Sequence, residues 1–88
     1  MLRLPATLTQ EQARACLTQL TTALPAEAAQ VVVDAALLRS FDSSALAVLL
    51  ELRRECARAG KRFAVQGLPN RLRDLASLYG IEGLLPSA

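Results

Sequence analysis

There is no histidine and no tryptophan in this chain, and only two phenylalanines and one tyrosine among its 88 residues. Without histidine the commonest general base is missing. No paired-carboxylate motif or glycine-rich phosphate loop takes its place, and no serine has an identifiable base beside it. Catalysis is therefore not expected. Cys16 and Cys56 form no C-x-x-C motif, and with no histidine to join them they are too few for a zinc site. No cofactor is expected. Each cysteine falls on the apolar stripe of a predicted helix, which reads as a buried, reduced thiol; a disulfide requires that the two helices bring them to bonding distance. The scarcity of aromatics leaves the core to Leu, Val and Ala. It also leaves the basic residues without interleaved stacking platforms, which argues against nucleic acid as a partner. No apolar run approaches the roughly 18–20 residues of a membrane span. The opening Met1-Leu-Arg-Leu-Pro5 lacks the basic region and apolar stretch of a secretory signal. The cytoplasm is the expected location, with a membrane reached only through a partner.

What is present fits one small domain covering residues 1–88. Hydrophobic residues make up 52% and charged residues 20% of the chain, a balance that favours a packed fold over disorder. The net charge of +2 is uneven: seven of the ten basic residues lie between positions 51 and 74, opposed there only by Glu51, Glu55 and Asp74. That run reads first as a solvated helix face with local ion pairs, and second as a patch for an acidic partner.

Leu2 to Thr7 reads as a short strand, with Pro5 confining it to an edge or a bulge. Thr9 and Gln12 have capping-box spacing and open a helix to about Leu24, with Ala13, Cys16, Leu17, Leu20 and Leu24 on one stripe. Val31 to Val33 is an unbroken β-branched run, which suits a strand buried on both faces or at least central. A second helix runs from Ser43 or Ser44 to about Ala59, with Ala45, Leu49, Leu52, Cys56 and Ala59 as its stripe and Gly60 as its left-handed stop. Phe63 to Gln66 is a third strand. Asn70 can cap a last helix to Tyr79, buried through Leu72, Leu75, Ala76 and Tyr79. Ile81, Leu84 and Leu85 can fold back on the core. The order β-α-β-α-β-α implies a largely parallel sheet with right-handed crossovers.

Between the second strand and second helix lies Arg39-Ser-Phe-Asp-Ser-Ser-Ala-Leu46. Its two serines stand at a helix N-terminus, where free N–H groups and the dipole favour negative charge. Ser43 is the candidate control point. A phosphate there would add about −1.5 to −2 charges. Alternatively, Asp42, Ser43 and Ser44 only cap the helix.

These residues resemble a STAS domain, the fold of the bacterial anti-sigma-factor antagonists. In that family an aliphatic strand ending in Asp is followed by a turn of the form Asp-[Ser/Thr]-[Ser/Gly]-[Gly/Ala]-Leu. Here the strand is Val31-Val-Val-Asp34 and the turn is Asp42-Ser-Ser-Ala-Leu46. Within the family, Asp42-Ser-Ser-Ala-Leu-Ala-Val-Leu-Leu50, Val65-Gln-Gly67 and Leu75-Ala-Ser-Leu-Tyr79 are similar to the small STAS subunit of the Mla-type phospholipid-transport ABC system. Two departures stand out: Ala45 occupies a position where many members have Gly, and Ser43-Ser44 is closer to the antagonist branch. The resemblance implies an α/β STAS fold, a small, mixed and mostly parallel sheet of about four strands with helices packed against it. It implies a non-enzymatic accessory subunit that binds the cytoplasmic ATPase of the transporter at the inner face of the inner membrane, in support of outer-membrane lipid asymmetry. The alternative it carries is an antagonist phosphorylated at Ser43 by an anti-sigma kinase. In either case it implies partner binding through Asp42, Ser43, Ser44 and Ala45. Arg39 and Phe41 precede the turn and read as further contacts, with Phe41 reading equally as core. Tyr79 reads as a core residue with its hydroxyl at the edge, and as a further partner contact.

Overall fold

The computed structural model describes all 88 residues. Its strands are β1 (Leu2–Arg3), β2 (Thr7–Leu8), β3 (Gln30–Asp34), β4 (Ser40–Phe41) and β5 (Arg62–Gln66), and its helices are α1 (Gln10–Ala23), α2 (Ser44–Arg58) and α3 (Asn70–Leu78). Two single 3₁₀ turns, Leu24–Ala26 and Glu82–Leu84, follow α1 and α3. Every ladder is parallel. β3 lies between β1 and β5 in a three-stranded sheet, and β2 pairs with β4 in a two-stranded one. The fold is α/β, as expected, but its strands are divided between two wholly parallel sheets rather than joined in one mixed sheet.

The division follows from Pro5. Leu4 still donates its N–H to Asp34, at 2.9 Å, and extends β1. Pro5 has no N–H to continue that ladder, so the chain leaves the edge. Ala6 then accepts N–H bonds from Arg39 and Ser40, at 2.8 and 3.0 Å, and β2 joins β4. The expected single strand from Leu2 to Thr7 is thus two strands, and the stretch expected as a plain link to the serine turn contains β4. Leu2 and Leu4 are buried, whereas Ala6 is exposed.

Val31 and Val33 are fully buried, aligned with Leu2, Phe63 and Val65 beneath the helices. The strand is central, as expected, but buried on one face only. Val32 is partly exposed, and its face also carries Arg3, Gln30, Asp34, Arg62 and Gln66. The outer edge of β5 is covered by the end of the chain: Val65 donates to Pro86 at 2.8 Å and Ala88 donates to Val65 at 3.0 Å. Leu85 is buried and anchors this tail, while Leu84, expected to pack inward, is exposed.

In α1 the Gln12 side chain reaches back to the Thr9 N–H, at 2.9 Å. Cys16, Leu20 and Leu24 are buried, with Ala13 and Leu17 partly so. α2 packs along α1 and over β5. Ala45, Leu49, Leu52 and Cys56 are fully buried, but Ala59, expected on this stripe, is exposed. It lies past the last helical residue, where Gly60, at φ +71°, turns the chain away. Gly60 donates to Ala57 and Lys61 to Cys56, at 3.1 and 2.8 Å, which satisfies two end carbonyls in a Schellman pattern. The Lys61 ammonium then donates to the carbonyls of Leu24 and Glu27 and ties the end of α2 to the end of α1.

Both cysteines are free and buried. Burial raises both thiol pKa values; for Cys56, Lys61 partly opposes the rise and Glu55 adds to it. Thiolate is the reactive form. In the folded protein at neutral pH, both thiols are expected to resist a thiol-reactive chromophore that labels the urea-unfolded chain completely. Rapid labelling of either one in the native state would contradict this packing.

The basic run does not form one patch. Arg54 pairs with Glu51 and Arg58 with Glu55, at 3.6 and 2.9 Å. Lys61 is held by carbonyls, and Arg62 starts β5 while Arg71 lies in the first turn of α3, beyond the other end of β5. Only the α2 part of the run is a solvated face with local pairs.

Candidate partner-binding site

Parallel strands send all their exits to one end of the sheet. β2, β4 and β5 each lead into a helix, so α1, α2 and α3 all begin at that end, the usual location of sites in parallel α/β folds. The turn carrying Asp42 and Ser43 lies there.

Asp42 holds two of these helix starts together. One carboxylate oxygen accepts the Ser44 N–H at 2.8 Å, and the other accepts the Gln10 N–H at 3.1 Å. These amides belong to the first residues of α2 and α1. Asp42, one residue before the geometric N-cap, therefore does the capping. Ser43 has helical backbone angles, its carbonyl accepts from Leu46 and Ala47, and its side chain makes no cap hydrogen bond. The Ser43 hydroxyl is exposed and free of intramolecular hydrogen bonds. The capping expected of the Asp-Ser-Ser turn thus falls to Asp42, not to Ser43.

The Ser44 N–H, followed by desolvation in the opposing sense and the Gln10 N–H, sets the Asp42 pKa, with a net shift below the ordinary aspartate value. A lowered folded-state pKa contributes stability above the unfolded pKa and loses it as pH falls through the folded one. Asp42→Asn keeps an oxygen for capping and removes the charge. Its melting temperature is expected to lie below the parent's at neutral pH and to converge with it as the pH falls through the lowered folded-state pKa of Asp42. The gap should also shrink in high salt, because the carboxylate is exposed. A gap independent of pH would contradict this role.

Phe41 is half-buried against the core, and the Arg71 guanidinium lies over its ring, 5.2 Å from the centroid. Leu38, Arg39, Phe41, Pro69, Asn70 and Arg71 line a surface cleft of about 260 Å³ beside the turn. A larger open groove of about 610 Å³ runs between α1 and α2, lined by Ala13, Leu17, Ala47 and Val48 with Arg14 and Glu51 at its margin. Its charges are of both signs, and it contains none of the turn residues.

Of the residues expected to form the site, Arg39, Asp42 and Ser43 come together and are exposed, with Phe41 and Ser44 partly so. Ala45 does not belong to that surface: it is fully buried, and its methyl packs into the chain's own core. Tyr79 is 56% exposed, which corrects its reading as a core residue. It follows the last turn of α3, about 13 Å along the helix from Asn70, and lies outside the cleft. Asn70 does not cap α3, because Pro69 occupies that position and Asn70 is the first helical residue. Arg71 was hidden in the basic run. Its signal was a cation in the first turn of a helix, where the dipole disfavours one.

The family model described as "Mlab, STAS domain" matches residues 1–86. The chain belongs to this MlaB-type STAS family. Comparison with curated proteins gives no match. STAS domains are generally non-catalytic. No helix is long and apolar enough to cross a membrane.

Proposed function

We propose that this STAS domain is a non-catalytic accessory subunit that binds the cytoplasmic ATPase of an Mla-type phospholipid-transport ABC system through the Asp42–Ser43 turn. The observation that carries the reading is the Ser43 hydroxyl, exposed and unbonded at the start of α2 while Asp42 does the capping. A side chain freed from structural work at a fixed helix N-terminus is available to a partner. The family match supports the class of partner. Binding favours the ATPase conformation that fits this surface, a population shift that needs no chemistry from the chain. The protein would act in the cytoplasm and reach the inner face of the inner membrane only within the complex. The test is co-purification of the tagged protein with the Mla-type ATPase of the same organism. A stoichiometric complex is expected; its absence with a soluble, folded ATPase would refute the reading.

The same free hydroxyl favours a second reading, an anti-sigma-factor antagonist switched by phosphorylation of Ser43. Incubation with an active anti-sigma kinase and ATP would then add one phosphoryl group by intact mass, and Ser43→Ala would abolish the addition. An unmodified parent protein would exclude the switch.

A further inference from the structure

The cleft beside the serine turn holds positive charge where the fold disfavours it. Arg71 stands in the first turn of α3, a turn with no acidic residue. Free N–H groups and the dipole make such a turn a place for anions. No carboxylate of the chain pairs with Arg71 or with Arg39. Asp42 is committed to the Ser44 and Gln10 amides. The Arg71 guanidinium is instead laid over Phe41, at 5.2 Å, which positions it without using its N–H donors. A local rule broken at an accessible, positioned side chain marks a functional contact.

The cleft, about 260 Å³ and open to solvent, has room for a partner side chain. Leu38 and Phe41 give it an apolar wall, and Arg39, Asn70 and Arg71 give it donors. We propose that it receives one aspartate or glutamate side chain of the partner protein, its carboxylate on the Arg71 fork and its hydrocarbon stem against Leu38 and Phe41. A phosphate would satisfy the donors and leave the apolar wall without a counterpart. The inference rests on the reading that the adjoining turn binds an ATPase subunit, and it names the chemistry of that contact.

The test measures affinity for the Mla-type ATPase and the thermal stability of the free domain. Arg71→Gln is expected to weaken binding by on the order of tenfold to a hundredfold. Arg71→Glu should weaken it further, and Arg71→Lys, which keeps the charge but not the fork, should recover only part. The salt dependence of binding should fall in Arg71→Gln. The melting temperature should stay level or rise, because a cation leaves the positive end of α3. That opposite movement separates a binding role from a structural one. A complex that forms normally with Arg71→Gln, within about twofold of the parent, would overturn the cleft proposal while leaving the ATPase reading intact. No complex with the parent protein would overturn both. Equal loss with Gln and Glu together with a lowered melting temperature would reassign Arg71 to a purely structural role.

Discussion

Ser43→Arg is expected to abolish the complex with the ATPase, lowering affinity on the order of a hundredfold or more, while leaving the domain folded. The two halves of that expectation have separate physical origins. The Ser43 hydroxyl makes no intramolecular hydrogen bond, so its removal leaves no orphaned partner in the chain. An arginine at an exposed position adds no clash with the core, and its main penalty is a cation beside the start of α2. The melting temperature should therefore move by less than roughly 8 °C. At an interface the same side chain is bulky, charged and without a counter-ion. It must either hold the surfaces apart or be buried unpaired. Ser43→Ala provides the complementary case: it removes only an oxygen, and most of the affinity should survive. If Ser43→Arg bound as tightly as the parent, with an unchanged melt, the turn would lie outside the interface.

Much of this arrangement was legible in the residues. The Thr9–Gln12 box, the β-branched run from Val31 to Val33 and the Ala45-Leu49-Leu52-Cys56 stripe are periodic or local signals, and each produced its element. Short elements fixed by distant partners were not legible. β2 and β4 have two residues each, too few for any period, and exist because Ala6 accepts from Arg39 and Ser40. The tail ladder on Val65 is of the same kind.

The site was legible in part for a related reason. Asp42 and Ser43 are adjacent in sequence and their turn type is local, but the second hydrogen bond of Asp42 goes to Gln10, far earlier in the chain. Tyr79 continues the Leu72-Ala76 spacing, so periodicity alone assigns it to the buried face. The helix ends there, at Gly80, and Tyr79 remains exposed. Arg71 looked like one charge in a linear run. Only the fold separates it from Arg62 and sets it over Phe41.

Gly67→Ala should be among the most damaging single-methyl additions to this domain, and it connects the fold directly to the cleft. Gly67 has φ +70°, and a Cβ there would lie 3.0 Å from the Ala36 Cβ and 3.1 Å from its Cα and N. The left-handed conformation alone costs a non-glycine residue about 1–3 kcal/mol. Crowding against backbone adds about another 1–3 kcal/mol, because Ala36 has no flexible end to move aside. The sum is about 2–6 kcal/mol, against a total stability of about 4–13 kcal/mol expected for a chain of this length. Gly60→Ala is the internal control. Gly60 has nearly the same φ, +71°, but nothing lies within 4 Å of its added Cβ. It carries the conformational penalty without the clash, so chemical denaturation should show the Gly67 variant less stable than the Gly60 variant by the crowding contribution. The same methyl would push the segment leading into α3 away from Ala36 and carry Arg71 off the Phe41 ring. A Gly67→Ala protein that remains folded at low temperature should therefore bind the ATPase more weakly, whereas Gly60→Ala, at the far end of α2, should bind normally. Equal stabilities for the two variants would mean that the loop yields to the methyl, and the close approach to Ala36 would then not be what positions α3.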